Sequence, residues 1–386
     1  MWPDLSPPRR WWDGLPLPLA LLWGLAVFLL GVRLLALSLE QAAGDRVQWV
    51  LKRLAGSPWR AFLLGTVVAG TLHSSGVTAA SSIALVHAGL LSESGGLAVI
   101  LGANIGTTFT AQLAAFSWAG LVGPLLLAGS FLAAAGSVGG RYGGRKGRPS
   151  ALASASPSAS ASARGNPPMV AAGGALVGLG GLFWGVEAMA AVAAAWATKP
   201  EATVLVSRFA GSPWSAALLG AVVAALLQSS TVTVGLAMVS HAEGLIPLPG
   251  AVGVVLGANI GTSCQGLLAS IGTDRAARRT AWADFLFNLG GVLAVLPWVE
   301  TLSPYLSSLS AAPARRVANA HTIFNVFTAV VALRWNHLLL RSASYLVDLG
   351  PGSSPAGRGG VAARAAGADC AKRRGSRWCK LHQPGP

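Results

Sequence analysis

The sequence predicts an all-α polytopic membrane protein made of two pseudosymmetric repeats, each with a re-entrant hairpin and a broken helix, and three observations carry that expectation. The chain of 386 residues is 53% hydrophobic but only 11% charged, against about 25% charged in soluble domains. Apolar stretches at 16–38, 61–90, 96–138, 169–197, 214–240, 245–272, 281–299 and 318–340 reach or approach the roughly 20 residues that fit a hydrocarbon core. The chain is also written twice. Residues 55–108 align with 210–263 at a single shift of 155, without a gap and with 28 identities in 54 pairs. Chance likeness between apolar helices would not hold register through "SPW", "SS-x-VT" and "GANIGT".

Taken in order, residues 1–14 form an N-terminal segment, 15–138 the first repeat, 139–168 a linker, 169–341 the second repeat and 342–386 a basic tail. Arg9, Arg10, Trp11 and Trp12 give the start a signal-peptide look. The following apolar run exceeds a signal peptide's core and lacks a small-x-small cleavage site, so it reads as a retained first helix. The linker is almost entirely Gly, Ser, Ala, Pro and basic residues, a composition that buries no core and tethers flexibly. The net charge of +15 sits mostly in the linker and the tail. Basic segments beside membrane helices read as cytoplasmic and as neighbours of anionic headgroups, not as nucleic-acid binders. Three cysteines make no disulfide framework, and Cys370, Cys379 and His382 in the tail match no zinc spacing.

Each repeat opens with a helix, "FLLGVRLL" from Phe28 and "LFWGVEAM" from Leu182, which sets Arg33 opposite Glu187. Ionisable groups at membrane depth are costly unless they face protein or water, so these two are expected to support the structure by pairing, unless Arg33 snorkels to the interface. Ser57-Pro58 and Ser212-Pro213 then read as helix starts, with Ser as cap and Pro at the first helical position. About 16 residues on, roughly 24 Å along a helix, come His73-Ser74-Ser75-Gly76 and Gln228-Ser229-Ser230-Thr231. That distance falls short of a 30 Å core, which favours a re-entrant hairpin tipped by the serines. Non-helical backbone at this depth is tolerated only inside protein or beside a wet cavity, and paired broken helices point to a transporter site.

The chemistry fits a small oxyanion. Hydroxyls and free backbone N–H groups at a half-helix start donate to its oxygens, and the helix dipole favours its charge. These eight positions are the expected substrate ligands. "GANIGTT" and "GANIGTS" place glycines around an amide, which predicts local unwinding with Asn104 and Asn259 turned inward. Close packing of small residues is the structural alternative. With Thr78, Thr107, Thr108, Thr233, Thr262 and Ser263, these amides are the expected sodium ligands. His87 and His241 do not align under the shift and read as loop or interface residues.

The same residues resemble the sodium/phosphate cotransporters of the type II kind and their bacterial relatives. The likeness rests on the Gln-Ser-Ser of 228–230, both Gly-Ala-Asn-Ile-Gly-Thr copies, "ANAHTIFN" ending at Asn325 and "RRTAWADFLFN" ending at Asn288. It implies inverted repeats, two hairpins meeting at the midplane, and sodium-coupled symport of inorganic phosphate across the plasma membrane, with Asn288 and Asn325 in support. Sodium is then the coupling ion, and no other cofactor and no enzymatic step is expected. The sequence departs from the family at His73 for Gln, at Gly76 and Thr231 for Ser, and at Asp284 for His. A carrier of another oxyanion or organic anion, or a transport-dead phosphate sensor, remains the alternative. An intramembrane hydrolase using His73 and a neighbouring serine conflicts with Gln228 at the duplicate position, since neighbours on a helix do not face each other.

Overall fold

The computed structural model describes residues 17–43, 57–116, 119–143 and 167–349. The chain divides into a helical body through Ala343 and a second unit, Ser344–Pro386, of which the described part is the end of the last helix. Among the described residues every regular element is helical: α1 (Leu17–Ala43), α2 (Pro58–Leu72), α3 (Ser75–His87), α4 (Glu93–Ala114), α5 (Val122–Gly143), α6 (Pro167–Ala197), α7 (Pro200–Ala210), α8 (Pro213–Leu227), α9 (Ser230–Ala242), α10 (Leu248–Ala269), α11 (Arg275–Val295), α12 (Val299–Ser308), α13 (Pro313–Arg334) and α14 (Asn336–Leu349), with short 3-10 turns before α5 and α12. Among the described residues six segments are long and apolar enough to cross a membrane: α1, α4, α6, α10, the α11–α12 run and α13. This is an all-α, multi-pass membrane protein.

The linker and tail expectations fall largely outside the described residues. At their edges α5 runs to Gly143, α6 begins at Pro167 and α14 continues to Leu349, so helix extends a few residues past each expected boundary. Cys370, Cys379 and His382 also lie outside the described residues.

The shift of 155 carries through the helix ends. Adding it to the bounds of α2, α3 and α4 gives those of α8, α9 and α10 at every terminus. Local chemistry explains the match. Ser57 and Ser212 are extended N-caps followed by Pro, although only Ser212 accepts a cap bond, from the Trp214 N–H at 3.3 Å. Gly89 and Gly244, with φ of 70° and 75°, turn the chain after α3 and α9 in the left-handed region that glycine enters without penalty.

The unwinding expected at Gly-Ala-Asn-Ile-Gly does not occur. α4 and α10 run unbroken from Glu93 to Ala114 and from Leu248 to Ala269. The glycines serve close approach instead: a Cβ at Gly102 would strike the Phe62 carbonyl oxygen, and one at Gly257 the Ala217 carbonyl oxygen. Without a hydrophobic driving force between lipid-embedded helices, such backbone contact is what makes van der Waals packing effective, and it outweighs the roughly 1 kcal/mol helix penalty per glycine. The α1–α6 pair uses the same device, with Gly31 against the backbone at Gly181–Leu182 and Gly185 against the fully buried Phe28. The largest core lies between α1, α6 and α8–α10 and extends to α13.

Candidate functional site

The breaks between α2 and α3 and between α8 and α9 are conformational copies. His73 has φ 51° and ψ 29°, and Gln228 has φ 52° and ψ 35°. They are the only non-glycine residues with positive φ among those described, and such a left-handed residue costs about 1–2 kcal/mol. The next residue is extended in both, Ser74 at φ −147° and Ser229 at φ −154°. One left-handed residue followed by one extended residue stops a helix and starts another at once.

The serine side chains complete the restart. Ser74 Oγ accepts the Val77 N–H at 3.2 Å and Ser229 Oγ accepts the Val232 N–H at 3.3 Å. A hydroxyl that accepts a cap bond keeps its own O–H to donate. Ser75 and Ser230 are buried at the first helical position, followed by Gly76 and by buried Thr231. Their backbone N–H groups lie in the first turn, where the helix supplies no acceptor. Each break therefore gathers donors at the positive end of a helix dipole, an arrangement suited to an anion.

The residues expected as sodium ligands have the opposite character. Thr78 Oγ1 donates to Ser74 O at 2.8 Å, and Thr233 Oγ1 to Ser229 O at 3.0 Å. Thr107, Thr108, Thr262 and Ser263 likewise donate to carbonyls one turn back in α4 or α10. Hydroxyls whose protons are engaged within their own helix keep only lone pairs to offer, which suits a cation and not an oxyanion. Asn259 Nδ2 donates to Val255 O at 3.0 Å, whereas Asn104 Nδ2 is buried without a full hydrogen bond.

The two copies diverge at their tips. His73 is 5% exposed and its Nδ1 meets Thr110 Oγ1 on α4, not Ser74 or Ser75. Gln228 is exposed. Gly76 faces Gln265 of α10, whose Oε1 occupies the space that a Gly76 side chain would fill. Each restart helix thus packs on both halves: α3 on α4 and α10, α9 on α10 and α4. Of the outlying histidines, His87 lies 3.5 Å from Asp274 at the surface, and His241 Nδ1 bonds Ile246 O at 3.0 Å.

The expected Arg33–Glu187 pair is not formed. Arg33 is exposed on α1, both Glu187 carboxylate oxygens are buried without a hydrogen bond, and no ion pair between the two occurs among the described residues. α1 and α6 run antiparallel, with Phe28 against Gly185, Gly31 against Gly181 and Leu35 against Gly178, so Arg33 and Glu187 sit about two helical turns apart along the pair.

Asn288 and Asn325 lie in the interior, at 2% and 0% exposure. Of their neighbours the sequence singled out Asp284 only as a departure from the family and His321 not at all, although a signal was present, since "RRTAWADFLFN" and "RRVANAHTIFN" match each other at a shift of 37. That match pairs Asp284 with His321 and Asn288 with Asn325, and all four are buried. α11 packs on α3, α4 and α10, and α13 packs on α9, α4 and α10. The two segments begin at opposite ends of α4: Arg279 lies 3.8 Å from Glu93, and Arg315 stacks over Phe116. Each restarted helix is therefore backed by one Asn-bearing helix, and the two backing helices enter from opposite ends.

A family described as Na+/Pi-cotransporter matches residues 27–144 and 182–303. Among similar proteins, "Uncharacterized protein YqeW" of Bacillus subtilis is 30% identical over 325 residues, 83% of this chain and 95% of that protein. "Putative inorganic phosphate export protein YjbB" of Escherichia coli K12 is 27% identical over 317 residues, 82% of this chain and 53% of that protein. The Salmonella typhimurium protein of the same name is 25% identical over 331 residues, 85% and 55% respectively. The chain thus spans about half the length of these YjbB relatives. No solved structure matches significantly. With a family match over most of its length and a 30% identical relative covered almost end to end, the chain belongs to the Na+/Pi-cotransporter family.

Proposed function

We propose that the protein is a secondary active carrier of inorganic phosphate in the plasma membrane, coupled to sodium and working by alternating access between two inverted repeats. The observation that carries this reading is the duplicated break, in which His73-Ser74 and Gln228-Ser229 adopt the same left-handed, then extended conformation and each restart a helix on a serine cap. Phosphate would take donors from Ser74, Ser75, Ser229, Ser230 and Thr231 and from the first-turn N–H groups, Gly76 contributing only its backbone. His73 and Gln228 would hold the hinges. Sodium would take the lone pairs of Thr78, Thr107, Thr108, Thr233, Thr262 and Ser263 and the amide oxygens of Asn104 and Asn259. The opposite entry of α11 and α13 along α4 supports the inverted relation.

A second reading concerns direction. The YjbB relatives are named for phosphate export, which favours a carrier that moves phosphate outward under cellular gradients. The test for both is radiolabelled phosphate flux in proteoliposomes, with sodium or potassium on either side. Flux is expected to require sodium, to reverse with the gradient, and to be blocked strongly by arsenate and weakly by sulfate. Flux unchanged by the removal of sodium refutes the coupling.

A further inference from the structure

Asp284 lies near the middle of α11 at 3% exposure. Its Oδ1 accepts Asn288 Nδ2 at 3.0 Å, and the Asn104 amide approaches it from α4 without completing a hydrogen bond. Its Oδ2 faces Gly266 of α10, where a Cβ would stand 3.8 Å away. No basic side chain pairs with it among the described residues. Asn288 Oδ1 is also buried with no partner, which leaves an unused oxygen on the residue that holds the carboxylate.

A carboxylate in this position needs compensation. A buried charge without a partner costs several kcal/mol even after relaxation, and more at membrane depth; two neutral amides do not supply that. We propose that Asp284, with the amides of Asn288 and Asn104, forms a binding site for one monovalent cation, sodium or a proton, set against the first hairpin. A sodium ion would take the carboxylate, Asn288 Oδ1 and an Asn104 amide turned to present its oxygen. A proton would take the carboxylate alone and make Asp284 a hydrogen-bond donor.

The duplicate position supports one such site and not two. On α13 the equivalent of Asp284 is His321, at 1% exposure, with Nδ1 buried and unpartnered beside an Asn325 whose Oδ1 is also unpartnered. A neutral imidazole there needs no cation, so the requirement falls on the α11 side. Of the groups on the helices packed against Asp284, Cys264 lies on α10, two residues from the Gly266 that faces the carboxylate. Glu93 and Arg279 meet at the ends of α4 and α11, and His87 ends α3. His73, at the hairpin tip, is engaged by Thr110.

The proposal deepens the carrier reading and rests on it only for what the cation does, because binding is measurable without flux. The test is equilibrium binding of radioactive sodium to the purified full chain in detergent, comparing wild type, Asp284→Asn and Asp284→Glu, with carbodiimide labelling of wild type located by mass spectrometry. If sodium is the ligand, Asp284→Asn binds one sodium fewer per chain, Asp284→Glu keeps the count at a shifted affinity, and sodium protects Asp284 from the label. If a proton is the ligand, sodium counts are equal, and Asp284 labels increasingly as pH falls, with no protection by sodium. The wild-type labelling decides the matter even if the Asn variant does not fold. Unchanged sodium binding in Asp284→Asn, together with no labelling of Asp284 at any pH from about 5 to 9, overturns the site. A wild type that holds the cation but moves no phosphate instead refutes the carrier reading alone.

Discussion

Replacing Gly76 by Ala is expected to change the sign of its effect according to the residue at position 265. A Cβ at Gly76 would overlap Gln265 Oε1, so the glutamine side chain must swing away from the hairpin tip, leaving a buried amide that already has no partner on Nε2. Overpacking of this kind costs about 1–3 kcal/mol. Opposing it, Ala in place of Gly within a helix gains at most about 1 kcal/mol, and less in a first turn. The net expectation is a loss of about 1 kcal/mol in the wild-type background. With Gln265→Ala the obstruction is gone, and Gly76→Ala becomes neutral or stabilising, a coupling of about 1–2 kcal/mol in the double-mutant cycle. Thermal unfolding in detergent reads this at about 1 °C per kcal/mol, the slope that the unfolding entropy per residue gives for a chain of 386 residues. The same sign in both backgrounds would refute the inference that Gln265 occupies the side-chain position of the hairpin tip.

The other expectations follow from the same geometry. Ser229→Ala and Ser74→Ala each remove a helix cap worth about 0.5–2 kcal/mol and a donor to a charged ligand worth about 1.5–3 kcal/mol; phosphate KM should rise by about tenfold or more, while Ser→Thr retains function. Thr110→Val leaves His73 Nδ1 buried without a partner, a cost of about 1–3 kcal/mol that thermal unfolding detects and that Thr110→Ser restores. Gly257→Val drives a side chain into the Ala217 carbonyl and separates α8 from α10; loss of monodisperse protein on size exclusion checks it, and wild-type behaviour contradicts the packing.

The matching helix ends were legible because both segments keep the residues that punctuate helices. Ser-Pro starts, the Ser-Ser restart and the glycines at 89 and 244 fix helix ends, and these ends fall 155 residues apart throughout. Other glycines, those of Gly-Ala-Asn-Ile-Gly, misled, because low helix propensity is a local property and the benefit of backbone contact at Gly102 and Gly257 is a tertiary one. Hydropathy ran α2 into α3 and α8 into α9, since one left-handed residue interrupts a helix without interrupting its apolarity. The interior roles of Gln265 and Asp284 were hidden for a different reason. Gln265 stands opposite Thr110 under the shift of 155, and Asp284 opposite His321 under the shift of 37, so a search for identities passes over both.

The Asp284 site bears directly on the direction of transport if its cation is sodium. A phosphate dianion moving inward against about 100 mV, negative inside, meets roughly 4.6 kcal/mol of electrical work, at about 2.3 kcal/mol per charge. Two sodium ions cancel that term, and a tenfold sodium gradient adds about 1.4 kcal/mol for each ion. The balance of about 2.8 kcal/mol sustains an inward accumulation of roughly 100-fold. With one sodium ion the complex carries a net negative charge, the electrical cost of about 2.3 kcal/mol exceeds the chemical gain of about 1.4 kcal/mol, and phosphate runs outward until the inside is roughly fivefold poorer. One cation more or less therefore separates an importer from an exporter on an otherwise unchanged scaffold. For a carrier that couples two sodium ions, one at Asp284, Asp284→Asn should convert steady-state accumulation in proteoliposomes under these gradients into depletion. A variant that still moves phosphate but keeps the wild-type accumulation ratio would show that the Asp284 cation is structural and takes no part in coupling.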